Sequence, residues 1–206
     1  MMISGIWAIE NFARYHLKTA QQRAKLQNEV SFVLEHMQKN MANAIGNARN
    51  STALQDLFIK VPPIVGGGGA CACGYYVDAA ASGTSPGDGV PGTQGDHWEY
   101  YLFSGTVPLG SGTTAHQVFY YPNCAKHTNF DGIIDFCSDF DILTTGGHIT
   151  HFSADVVSNA TSSNNYVDVN ITACWDPAEA KAACGTSDNP SVSMQERIKM
   201  PMVSAR

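Results

Sequence analysis

Charge is scarce in this 206-residue chain: Asp, Glu, Lys and Arg make up 15% of it, and twelve Lys+Arg against eighteen Asp+Glu leave a net charge of −6. The basic residues form no dense cluster that could neutralise a run of phosphates, so nucleic acid is not an expected partner. Proline is absent from the first fifty residues, and glycine occurs there only as Gly5 and Gly46. Nothing in that stretch forbids one continuous helix. Cysteine is absent before Cys71, and none of the six cysteines stands in a CxxC or paired Cys-His spacing, which argues against a structural zinc site. No HExxH frame occurs, and the glycine run Gly66 to Gly69 lacks the Lys-Ser/Thr that would make it a phosphate cradle. The expectation is a protein that is not an enzyme and needs no cofactor.

What is present divides the chain in two. In residues 1–50, apolar side chains at Leu26, Val30, Val33, Leu34, Met37, Met41, Ala44 and Ile45 step by three or four, the spacing of one apolar stripe on a helix. Lys25, Asn28, Glu35, Gln38 and Lys39 occupy the other side. Before this, Ile3, Ile6, Trp7 and Ile9 are apolar almost all round, with Phe12 and Leu17 following, and no charge appears until Glu10. A helix of this length, at about 1.5 Å per residue, reaches roughly 70 Å, longer than a head built from the remaining residues is wide. Part of it is expected to project, and its oily end then requires other helices or lipid for cover.

Residues 51–206 read as a β-rich globular head. Strand-like segments run over His97 to Phe103, Gln117 to Tyr121, Gly147 to Val157, Tyr166 to Cys174 and Val192 to Met200. Between Ser82 and Gly95 the composition is that of a long surface loop. The fold class expected is α+β: a long N-terminal helix packed by its C-terminal half on a four- or five-stranded antiparallel sheet. Six cysteines in such a head read as disulfides, and hence as an oxidising compartment. Short local loops favour Cys124 with Cys137 and Cys174 with Cys184. Cys71 and Cys73 remain, and because an i, i+2 bridge is strained, a thiol or a different pairing stays open for them.

The helix "RAKLQNEVSFVLEHMQKNMANAIGNA" (Arg23 to Ala48) and the closing "NPSVSMQERIKMPMVSAR", joined by a β-rich head, give an order of parts that resembles the type IV pilin superfamily, which includes pilus subunits, minor pilins and type II secretion pseudopilins. The resemblance implies a filament subunit whose partners are copies of itself or homologous pilins, located on the cell surface. It also implies anchorage in the inner membrane before assembly, through a hydrophobic segment of which Met1 to Ile9 would be the tail. About twenty apolar residues span a bilayer, so the resemblance carries the expectation that the numbered chain is a truncation. The prepilin peptidase site, the mature N-terminal phenylalanine and the early glutamate of the family pattern are not in this sequence. A minor pseudopilin at the tip of a secretion system is the alternative within the same architecture.

Three further readings concern sites. Asp131, Asp135, Asp139 and Asp141 lie within eleven residues beside Gly132, a candidate set of hard oxygen ligands for Ca²⁺. Phe130, Ile133, Ile134, Phe136 and Phe140 among them equally suit a half-buried strand with a solvated acidic turn. His148 and His151, three apart on an expected strand, would face opposite ways and make poor joint ligands, while His97, His116 and His127 lie in separate segments. A secreted adhesin or ligand-binding module, with Trp98, Tyr100 and Tyr101 offering an aromatic surface to a glycan, is the competing class of function. The sequons at Asn159 and Asn170 could accept N-glycans in a eukaryotic secretory route.

Overall fold

Helix α1 spans Met2–Met41, forty residues, or about 60 Å at the standard rise. Its end is set by competition from strand pairing. Ala44 forms an antiparallel bridge with Val77, and Gly46–Asn47 (β1) pairs in parallel with Val203–Ser204 (β10). The helix therefore stops nine residues short of the fifty that composition alone permits. The computed structural model describes residues 2–42, 44, 46–47, 58–61, 72–77, 97–106, 108, 114–124, 137, 139–156, 166–199 and 203–204.

Two antiparallel sheets back the helix where a single one was expected. The first has the order β2 (Phe58–Val61), β3 (Ala72–Val77), β4 (His97–Phe103), β5 (Val118–Cys124) and β6 (Asp141–Ile142). The second contains β7 (Ile149–Val156), β8 (Tyr166–Cys174) and β9 (Ser191–Lys199). The sheets meet where Leu143 N donates to Val118 O and Ile149 N to His116 O, a backbone seam that turns the chain from β5 into β7. Gly147 at φ 62° allows this turn, and a side chain there would also meet the Ala115 carbonyl. The sequence suggested β4, β5, β7, β8 and β9, whereas β2 and β3 went unrecognised beside the glycine-rich composition around them.

Period-two patterning explains why these strands lie as they do. Along β8, Val167, Val169, Ile171 and Ala173 are buried, while Tyr166, Asp168, Asn170 and Thr172 are half-buried on the outer face. Arg197 on β9 stands opposite Asp168 and donates to both carboxylate oxygens, at 2.7 and 2.8 Å. That hydrogen-bonded pairing holds the Asp168 carboxyl below its usual range. The pair fixes register more than it stabilises, because such exposed bridges are worth little.

All the inner faces converge on one core. Leu26, Val30, Val33, Leu34, Met37 and Met41 of α1 are 3% exposed or less and pack with Tyr75, Tyr101, Phe103, Val118, Phe152 and Ile171. The core thus draws on the helix and both sheets. Strand β4 is buried on both faces: Trp98, Tyr100 and Leu102 on its outer side are as enclosed as Tyr101 and Phe103 on the inner. Gly74 opposite Tyr100 is required by this packing, since a Cβ there would overlap the phenol ring. Met37→Ala is expected to cost about 2–5 kcal/mol in urea unfolding, as for other buried Met truncations. Leu17→Ala, on the exposed part of the same helix, should stay within about 0.5 kcal/mol.

Candidate functional site: the projecting helix and its anchorage

Helix α1 presents three stripes, separable by turning about 100° per residue. The first is the buried stripe, which begins where the head begins. Tyr15 Oη donates to Asp188 Oδ1 at 2.6 Å and Thr19 Oγ1 to Ser187 O at 3.2 Å, both on the loop between β8 and β9. From there Gln22, Leu26, Val30, Val33, Met37 and Met41 continue down the same side, and all are buried.

The second is an exposed apolar stripe. Ile6, Ile9 and Leu17 are 68%, 71% and 60% exposed, and Ala13, Ala20 and Ala24 lie on their line. The spacing 6, 9, 13, 17, 20, 24 keeps them on one side, roughly 130° around the helix from the buried stripe. The stripe therefore faces away from the protein's own head, which cannot cover it. Trp7 and Phe12, 69% and 66% exposed, widen the apolar surface beyond the last head contact. Phe12 packs edge-on to the His16 ring at 4.1 Å. Ile3 lies in the helix, although its side chain, like Ile45, falls outside the described residues.

The third stripe is polar and was not read from the sequence. Lys18, Gln22, Lys25, Glu29, His36 and Asn40 follow one flank of the buried stripe, three, four or seven residues apart. From Lys25 onward they bind the helix to the sheets. Glu29 Oε2 and His148 Nδ1 are 2.9 Å apart, with both side chains about one-tenth exposed. His148 stacks on Trp175 at 5.0 Å, and Lys25 Nζ lies 5.4 Å from that indole. Gly146 makes room for the pair: a Cβ there would strike the His148 ring and the Glu29 carboxylate. Farther along, His36 Nδ1 is 2.8 Å from the Tyr101 hydroxyl, and Asn40 Nδ2 donates to the same oxygen at 3.3 Å. The signal available in the sequence was the seven-residue spacing of Glu29 and His36 beside an apolar stripe.

Behind His36 lies a cluster of phenols around a carboxylate. Glu99, on the inner face of β4, accepts a hydrogen bond from Tyr75 and stands 3.3 Å from His97 Nε2. Burial pushes the Tyr75, Tyr101 and Tyr120 hydroxyls far above the usual phenol range, and the Glu99 charge adds to it, so all three remain donors. Burial also lowers the His36 pKa below its ordinary 6.5, against the opposing pull of Glu99 and Asp141 and with help from Lys39. The native state thus binds this proton less readily than the unfolded chain. The group's contribution to stability is intact above pH 6.5 and is lost as pH falls through 6.5 toward the lower native value. An NMR titration should place the His36 midpoint below 6.5, and His36→Gln should flatten that part of the stability profile.

The other sequence-derived sites fare as follows. Cys124–Cys137 and Cys174–Cys184 are disulfide-bonded. Cys73 is buried on β3, and Cys71 lies outside the described residues. Asp139 and Asp141 are exposed, Asp131 and Asp135 fall outside the described residues, and among the described residues no three ligating side chains converge. His151 is exposed while His148 is engaged in the helix contact. His116 Nδ1 bonds the Ile149 carbonyl at 2.9 Å, which makes it a seam residue. His127 and Asn159 lie outside the described residues, and Asn170 sits on the outer face of β8. The aromatic glycan surface is overturned: Trp98, Tyr100 and Tyr101 are 5%, 1% and 0% exposed, because β4 is covered on both faces.

Gly83-Thr84-Ser85-Pro86-Gly87 has the spacing G-x-S-x-G, which the reading of that segment as a surface loop passed over. It lies outside the described residues. Among the described residues no helix is long and apolar enough to cross a membrane. No family model, curated protein or solved structure matches this chain.

Proposed function

We propose that this chain is a structural subunit of a pilin-like filament, joined to copies of itself through the projecting half of α1, and that it is not an enzyme. The observation carrying this reading is the exposed stripe Ile6, Ile9, Ala13, Leu17 on the side of the helix opposite the head. Covering an Ile, Leu, Phe or Trp side chain is worth about 1.5–3 kcal/mol. Ile6, Trp7, Ile9 and Phe12 ahead of the first head contact, with Leu17 just beyond it, together supply on the order of 10 kcal/mol, much the same as the roughly 4–15 kcal/mol lost in bringing two molecules together. A single neighbour is therefore marginal, and a bundle in which each helix touches several others is favoured. Alanines at 13, 20 and 24 let neighbouring helix backbones approach closely.

The two disulfides suit an oxidising compartment, in keeping with a head displayed outside the cell. Anchorage in the inner membrane before assembly belongs to the same reading, as in the pilins that the order of parts resembles. Sedimentation velocity tests the reading. The chain should form concentration-dependent assemblies, and Ile9→Glu with Leu17→Glu should leave monomers whose melting temperature is unchanged. Monomers of the unaltered chain at high micromolar concentration, or assemblies that survive both substitutions, would overturn it.

A further inference from the structure

The polar flank of α1 runs past the loop between β8 and β9, and between them lies a cleft of about 330 Å³. Lys18 and Gln22 form its helix wall, Lys181, Asp176 and Asp188 the loop wall, and Trp175 and Asn189 stand beside them. The Cys174–Cys184 bond closes the loop at its base. Asn189 stiffens it further: its Oδ1 accepts from Asp176 N at 2.8 Å, and its Nδ2 donates to the carbonyls of Asp176 and Ala182 at 3.0 and 2.8 Å. The wall is thus preformed.

The cleft carries two ammonium groups and two carboxylates, and each carboxylate keeps its charge and further acceptor sites. The carboxylates are partly engaged, Asp188 by the Tyr15 hydroxyl and Asp176 by the Ala180 amide at 3.2 Å. Asn189 is fully used. By contrast, neither the Lys18 nor the Lys181 ammonium has a carboxylate partner among the described residues. Gln22 is 8% exposed, yet its carboxamide makes no hydrogen bond among them. Among the described residues the fully enclosed side-chain N or O atom without a partner is the Tyr100 hydroxyl, so the Gln22 carboxamide is open to the cleft it lines. Two ammonium groups and a donor–acceptor amide on the walls of one cleft fit a carboxylate carried on a hydroxylated frame: the lysines take the charge, and Gln22 takes a hydroxyl. Trp175 is already engaged by His148 and Lys25, so recognition here rests on charge and hydrogen bonds more than on ring stacking.

We infer that this cleft binds a small hydroxy-carboxylate of monosaccharide size, a sugar acid of the uronic class, either free or as a residue of an acidic glycan. The volume lies at the lower end of the roughly 300–1,000 Å³ usual for small-molecule sites. The inference is independent of the assembly reading, since no residue of the exposed apolar stripe lines the cleft.

Isothermal titration of the full chain with D-glucuronate, D-glucose and inorganic phosphate tests it, alongside oligogalacturonate. Glucuronate is expected to bind at millimolar affinity or tighter, and glucose to give no heat. Lys181→Gln and Lys18→Gln, both at exposed positions, should each weaken binding at least tenfold with unchanged melting temperature. Tighter binding of oligogalacturonate than of the monomer would assign the site to a glycan, and equal affinity to the free sugar acid. In either case the Gln22 side-chain amide resonances should shift on binding. Absence of heat with glucuronate, affinity unaltered by both lysine substitutions, or phosphate bound as tightly as glucuronate would overturn the inference.

Discussion

One helix carries more apolar surface than one head can cover, and the rest of the structure is arranged around that fact. From Tyr15 onward, α1 is held by both sheets and by the loop between β8 and β9; before it, the described side chains of the same rod are exposed. An isolated helical segment of about fourteen residues is marginal in water on its own propensity. It persists here as the extension of a packed helix, and its oily side chains add an unmet demand for burial. The head meets one stripe of the helix, and the opposite stripe stays exposed.

Polar contacts set where along the rod the head sits. The buried stripe alone would permit sliding by a turn, since Leu26, Val30, Val33 and Met37 offer similar surfaces at similar spacing. Glu29 with His148, and His36 with Tyr101 and Asn40, remove that freedom, because a shift of one turn would strand a buried ionisable group without its partner. Glycine at 146 and positive φ at 147 belong to the same device, one leaving space for the pair and the other aiming His148 at the helix.

Much of this was legible in the residues, and the gaps have physical causes. The stripe from Leu26 to Met41 and the alternation along β8 follow directly from the helix and strand periods, and short loop closure favoured the two disulfides that are present. The end of the helix was not legible, because Ala44, Gly46 and Asn47 are drawn into pairing with residues far along the chain, Val77 and Val203–Ser204. One antiparallel sheet was expected and two are found among the described residues, beside the parallel β1–β10 pair; local patterning gives strands but not their partners. Trp98, Tyr100 and Tyr101 read as surface aromatics, yet β4 is enclosed on both sides. The cleft beside Gln22 depends on a helix flank meeting a loop some 160 residues later, a juxtaposition that spacing alone does not encode.

Residue-level hydrogen exchange along α1, at dilute and at concentrated protein, bears most directly on the claim that the projecting half is a contact surface between copies. The account predicts that amides from 2 to 14 exchange quickly in dilute monomer and become strongly protected on assembly, while those from Leu26 to Met41 are protected throughout. Equally rapid exchange of the first fourteen residues at both concentrations would contradict it.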